Sequence, residues 1–212
     1  MPDVVSRDEL WTMIQAERAA LADDLADLTD GQWSEQSLCG NWTVEEAVAH
    51  LTAGASNGRM RWLLSVLRAR FDFDEHNARQ VARHRGANPA ETLARFRAII
   101  PGTVAPSGHT AAWLGEVIVH GQDIRRPLGI ARTPSIEAQT AVAHFYASRD
   151  FTVASHTVIE GLRLEANDGP FSTGSGPLVS GPTVALVMAM AGRSAYCDDL
   201  TGTGLSTLRD RL

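Results

Sequence analysis

Apolar residues recur every three or four positions over most of the first 150 residues, the period of a buried helix face. Ser6 with Glu9 makes a capping box, and Leu10, Met13, Ile14, Leu21, Leu25 and Leu28 follow at helical spacing, which predicts a first helix over Ser6 to Leu28. The linker TDGQWSEQSLCGNW carries turn residues and two tryptophans. Thr43 with Glu46 then repeats the capping box ahead of a second long helix, expected to reach about Arg70. FDFDEHNARQVARHRGA is polar, ends in Gly86 and reads as a partly helical crossover. Asn88 as cap, Pro89 at the first helical position and Glu91 mark a third helix that stops at Pro101. A fourth runs from Thr110 to Arg126, closed by Pro127 and Gly129, and a fifth starts at Ser135 through IEAQTAVAHFYASR.

Beyond Asp150 the period changes. VIEGLRLEAND alternates as a strand does, with Leu162 and Leu164 on one face, and GPFSTGSGPLVSGP is punctuated like a hairpin or a pair of short strands. The glycines there lack the GxxxxGK[ST] pattern of a phosphate loop. Pro182 opens a very apolar helix, TVALVMAMAG, and GLSTLRDRL closes the chain as a short amphipathic segment. The expected architecture is mainly α, a helical bundle over residues 1–150 followed by a small α/β unit over residues 151–212.

Composition narrows the partners. Twenty-five acidic against 19 basic residues give a net charge of −6, which leaves no global basic field for a polyanion, so nucleic acid is not an expected partner. The densest basic run, RMRWLLSVLRAR with Arg59, Arg61, Arg68 and Arg70, reads as one solvated helix face. Cys39 and Cys197 are far apart and form no CxxC motif, so a reducing, cytoplasmic setting is expected. MPDVVSRDEL has no signal pattern, and VALVMAMAG is far short of the ~20 residues that span a bilayer.

The fourth helix carries the chemistry. Glu116 and His120 stand four residues apart in GEVIVHGQDIRRPLG, side by side on one face of a helix that is otherwise apolar. A buried carboxylate without a partner costs several kcal/mol, so the pair is either a cation site or a polar couple tolerated near solvent. Spacing alone favours the couple. His50, in TVEEAVAHLTAGA on the second helix, sits among Ala47, Ala53 and Gly54, small residues that let another helix approach. His50, Glu116 and His120 together would suit zinc with one or more positions open, with nickel, cobalt or iron as alternatives. Asp123, three residues after His120, is placed either to orient the imidazole or to pair with Arg126. His76, His84, His109, His144 and His156 lie outside this arrangement and read as solvated or capping residues.

In that order, NWTVEEAVAHL, FDFDEHNARQV and LGEVIVHGQDIRRPLG resemble the metal-binding domain of mycothiol-dependent maleylpyruvate isomerase-type proteins, members of the DinB-like four-helix-bundle superfamily. GLRLEANDGPFSTGSGPLVSGPTVALVMAMAGR is similar to the small C-terminal domain that accompanies that bundle. The resemblance implies an up-down bundle with a crossover, a divalent metal on His50, Glu116 and His120, and mycothiol, the thiol cofactor of actinobacteria. It also implies isomerase or S-transferase chemistry on a small, carboxylate-bearing electrophile, by a monomer or homodimer. A free thiol of pKa ~8.5 is already about one-tenth ionised near pH ~7.5, so complete ionisation gains only about tenfold, ~1.4 kcal/mol. Positioning and charge stabilisation must supply the rest. In the isomerase a C-terminal arginine handles substrate carboxylates, and Arg193 in AMAGRSAY is the candidate here, its alternative being a charge that answers a helix dipole. A non-catalytic metal- or thiol-binding module, or a vestigial triad, are the competing readings.

Overall fold

The computed structural model describes residues 5–40, 42–56 and 73–212. The chain divides into two compact units, residues 6–132, and residues 133–212 together with Val5. It is mainly α with one small sheet, as the hydrophobic period predicts.

The first unit is helical. Helix α1, Arg7–Asp24, starts on the expected capping box, in which Ser6 and Glu9 bond each other's backbone N–H groups. It stops four residues short of Leu28, because Thr29 and Gln32 form a further capping box that opens a short helix, α2, Asp30–Trp33. Helix α3, Val44–Ser56, begins on the Thr43–Glu46 pair. Its expected continuation to Arg70, and the basic run with Arg59, Arg61, Arg68 and Arg70, lie outside the described residues. The polar crossover contains a regular helix, α4, Phe73–His84, and α5, Pro89–Ala98, follows from the Asn88 cap. Helix α6, Thr110–Arg125, is buried along nearly its whole length.

Helix α3 packs against α4, α5 and α6, and α1 packs against α5 and α6. Leu21, Leu25, Val48, Phe96, Leu114 and Ile118 fill the space between them. Buried polar groups pin the helices in place. Glu45 on α3 takes Arg85 Nε at 2.7 Å and Thr92 Oγ1 at 2.8 Å. Arg18 on α1 donates to the carbonyls of Ile99 and Gly102 at 3.1 and 3.0 Å, and its burial lowers its pKa to about 10. Arg125, 1% exposed at the end of α6, meets Asp24 at the end of α1 across 2.8 Å.

The second unit begins earlier than the sequence texture suggests. The period changes near residue 150, yet helix α7, Ile136–Ser148, packs on the apolar helix α9, Thr183–Met190, and so belongs with the C-terminal residues. Its buried Ala138, Val142, Ala143 and Tyr146 find their partners there. A single turn, α8 (Ser155–Val158), leads to strand β1, Arg163–Ala166. Strand β2, Ser172–Gly174, pairs antiparallel with β1, and β3, Leu178–Gly181, pairs parallel on its other edge, giving the order β2-β1-β3. Gly174, the last residue of β2, has φ +72, and a Cβ there would lie 2.1 Å from the carbonyl oxygen of Leu162, so only glycine fits where the chain leaves β2 close against β1. After α9 a 3₁₀ turn, Ser194–Asp199, leads to the closing helix α10, Leu205–Arg209. Among the described residues, no helix is long and apolar enough to cross a membrane.

Candidate metal centre

Helices α3 and α6 bring His50, Glu116 and His120 together within the first unit. Glu116 Oε2 lies 3.5 Å from His50 Nε2 and 3.4 Å from His120 Nε2, so both imidazoles aim the same nitrogen at one carboxylate oxygen. The two rings meet edge to face with centroids 4.9 Å apart. Small buried residues flank the cluster along both helices, Ala47, Ala49 and Ala53 on α3 and Gly115 and Gly121 on α6. The side chains of His50 and Glu116 are each 21% exposed and that of His120 is 9% exposed, so the cluster is largely buried yet reaches solvent.

The electrostatics follow from that burial. Desolvation by itself would raise the Glu116 pKa, but hydrogen bonds from His120 and His50, reinforced by their charge, hold the carboxyl well below the usual carboxylate range. Burial likewise opposes a charge on His120, yet hydrogen bonds with Asp123, Cys39 and Glu116 raise its pKa well above the ordinary imidazole value. Asp123, fully buried, sets its Oδ2 3.0 Å from His120 Nδ1. With the Nδ1–H donated there, Nε2 faces Glu116.

A loop missed by sequence reasoning walls the site. Its ends are joined by a bridge between Gln36 and Thr43, and the Trp42 carbonyl accepts from Ser37 N at 2.9 Å, Ser37 Oγ at 2.7 Å and Gln36 Nε2 at 2.8 Å. Gly40, at φ 57, provides the left-handed turn. Leu38 N donates to the Asp123 carbonyl at 3.0 Å, tying the loop to the end of α6. The result sets the Trp42 ring 4.6 Å from His50 and 6.3 Å from His120, centroid to centroid. It also carries Cys39 into a second donor group with His120 and Asp123. The only sequence trace of this arrangement is CGNW placed directly before a capped helix; the histidine contacts depend on loop geometry.

Among the remaining predicted residues, Arg193 belongs to the C-terminal unit, where its Nη1 donates to the Ala191 carbonyl at 2.6 Å just before the 3₁₀ turn. His84 bonds the Gln80 carbonyl through Nδ1, His156 bonds that of Ala147, His144 stacks edge-on against Phe171, and His109 caps α6 by position without a side-chain bond to it. The side chain of His76 lies outside the described residues.

A helical unit that converges two imidazoles and a carboxylate, followed by a unit built on a three-stranded sheet, is the class of protein these features define. Residues 14–106, less than half of the chain, match the family described as mycothiol maleylpyruvate isomerase N-terminal domain. The chain as a whole has the fold of crystal structures of the mycothiol-dependent maleylpyruvate isomerase. It is 17% identical to one at a TM-score of 0.61, and 15% identical to a histidine-to-alanine mutant at 0.58. In both cases 94% of this chain and 93% of the other are covered. No curated protein matches. The family match takes in His50 and ends before Glu116 and His120, so those two stand on the geometry of α6.

Proposed function

We propose that His50, Glu116 and His120 hold a divalent metal, zinc first, and that the protein is a cytoplasmic mycothiol-using isomerase or S-transferase acting on a small electrophile that carries carboxylates. One observation carries this reading: two Nε2 atoms from different helices point at the same carboxylate oxygen from 3.4 and 3.5 Å. Both separations are long for N–H···O bonds, whose usual length is about 2.9–3.0 Å. Two ligand atoms of a tetrahedral zinc with bonds of ~2.0–2.1 Å lie ~3.3–3.4 Å apart, so the donor set fits such an ion.

When bound, such a cation would supply Lewis-acid charge that favours a thiolate and polarises an electrophile's oxygen. The chain's own groups do the rest. Glu116 stays ionised and offsets cationic charge, Asp123 fixes the tautomer of His120 by accepting its Nδ1–H, and Trp42 covers the His50 ring. Similarity to the mycothiol-dependent maleylpyruvate isomerase supports the thiol and the substrate class, and Arg193 is our candidate for the substrate carboxylates. Conversion is tested by incubating the zinc-loaded protein with mycothiol and maleylpyruvate. Isomerisation or thiol addition that disappears in Glu116→Ala supports an enzyme; saturable mycothiol binding without product contradicts turnover and favours a binding module.

A further inference from the structure

The second donor group has its own chemistry. Cys39 Sγ, a ring nitrogen of His120 and a carboxylate oxygen of Asp123 lie within 4.8 Å of one another. The nitrogen that faces Asp123 is Nδ1, at 3.0 Å, opposite the Nε2 that faces Glu116. Asp123 is fully buried, and Cys39 is a half-buried cysteine outside any disulfide. Two backbone contacts hold the thiol in place: Leu38 N on the Asp123 carbonyl at 3.0 Å, and Cys39 N on Ser37 Oγ at 3.1 Å. A sulfur, an imidazole nitrogen and a carboxylate oxygen form a softer set than the triad, suited to thiophilic d¹⁰ cations such as zinc and cadmium.

We propose that Cys39, His120 and Asp123 form a second, thiophilic cation site that competes with the triad through the shared imidazole. A neutral imidazole carries one N–H. For the triad, Nε2 is the free donor and Nδ1–H bonds Asp123; for the second site, Nδ1 is the donor and the proton moves to Nε2, where Glu116 accepts it. Binding at Cys39 also releases the thiol proton to solvent, as thiolate ligation requires. The two sites are therefore tautomer-exclusive, and a soft cation on the Cys39 side withdraws His120 from the triad. The Cys39 site stands whether or not the triad holds a metal; only the competition rests on the proposed function.

Cadmium titration of the full-length, metal-stripped, untagged protein tests this through sulfur-to-cadmium charge-transfer absorption in the ultraviolet. The band is expected to saturate at one cadmium per chain, to fall at least tenfold in Cys39→Ser and Cys39→Ala, and to persist in Glu116→Gln. Persistence in Glu116→Gln separates this site from any failure of the triad. Circular dichroism confirms that each variant is folded. Absence of the band in the unsubstituted protein, or an equal band in folded Cys39→Ser, overturns the site; two cadmium ions per chain overturn the exclusivity.

Discussion

Replacing Asp123 probes the support of the centre while leaving all three triad residues in the sequence. Its Oδ2 accepts from His120 Nδ1 at 3.0 Å inside the protein, with no exposure to water. Such a carboxylate orients a ligating imidazole and raises its basicity, and removing one typically weakens metal binding 10–100-fold, about 1.4–2.7 kcal/mol. The two natural substitutions should divide that range. Asp123→Asn retains an acceptor oxygen but loses the charge, so zinc affinity should fall about tenfold. Asp123→Ala removes the acceptor, so affinity should fall toward 100-fold, and the stranded Nδ1–H should cost the fold a further ~1–3 kcal/mol. Competition with a chromophoric zinc chelator reads the first quantity and urea unfolding of the metal-free protein reads the second. Zinc affinity changed less than twofold in both variants, with zinc still bound, would refute the role assigned to Asp123.

Three further outcomes are expected. In metal-free protein, Glu116 is held below its ordinary 4.5 by His120 and His50 against the opposing effect of burial, so its stabilisation is present above about 4.5 and is lost as pH falls. His120 is held above 6.5, burial again opposing its partners, so its stabilisation is full below 6.5 and is lost as pH rises through its folded value. From this cluster, the metal-free melting temperature should be highest between these limits and decline above them, whereas zinc affinity should rise with pH as the cation displaces the Nε2 proton; calorimetry with and without chelator reads both. With its ring 4.6 Å from His50, Trp42 should report metal binding, so quenching of intrinsic fluorescence by nickel should fall by most of its amplitude in Trp42→Phe. Arg193→Ala should lower kcat/KM for a carboxylate-bearing substrate by roughly 10–150-fold, the worth of a charged hydrogen bond of about 1.5–3 kcal/mol, while zinc content stays unchanged.

Local signals account for what the sequence revealed. Ser6–Glu9 and Thr43–Glu46 mark helix starts because each pair satisfies orphan backbone donors, and Asn88–Pro89 does the same for α5. That Glu116 and His120 are neighbours was legible because an i,i+4 pair concerns one regular helix, whereas their grouping with His50 as a metal triad leaned on the family resemblance. Tertiary choices were not legible. Helix α7 has the same helical texture as the helices before it, and only its packing on α9 assigns it to the C-terminal unit. The capping box at Thr29 lies in a linker rich in turn residues, and the helical period of Leu25 and Leu28 carries four residues past the end of α1 at Asp24. Cys39 and Trp42 meet the histidines through a loop whose path depends on Gly40 at φ 57 and three bonds to one carbonyl, information that no spacing rule carries. Glu45 is a buried anchor for Arg85 and Thr92, a role that nothing in its local sequence marks.

The central claim is that His50, Glu116 and His120 hold a metal. Elemental analysis of the full chain, expressed without a histidine tag in zinc-supplemented medium and exhaustively dialysed, tests it most directly. The account predicts close to one zinc per chain, and less than a tenth of that in folded His50→Ala and Glu116→Ala. Less than a tenth of an equivalent in the unsubstituted protein, unchanged in His50→Ala, would contradict it.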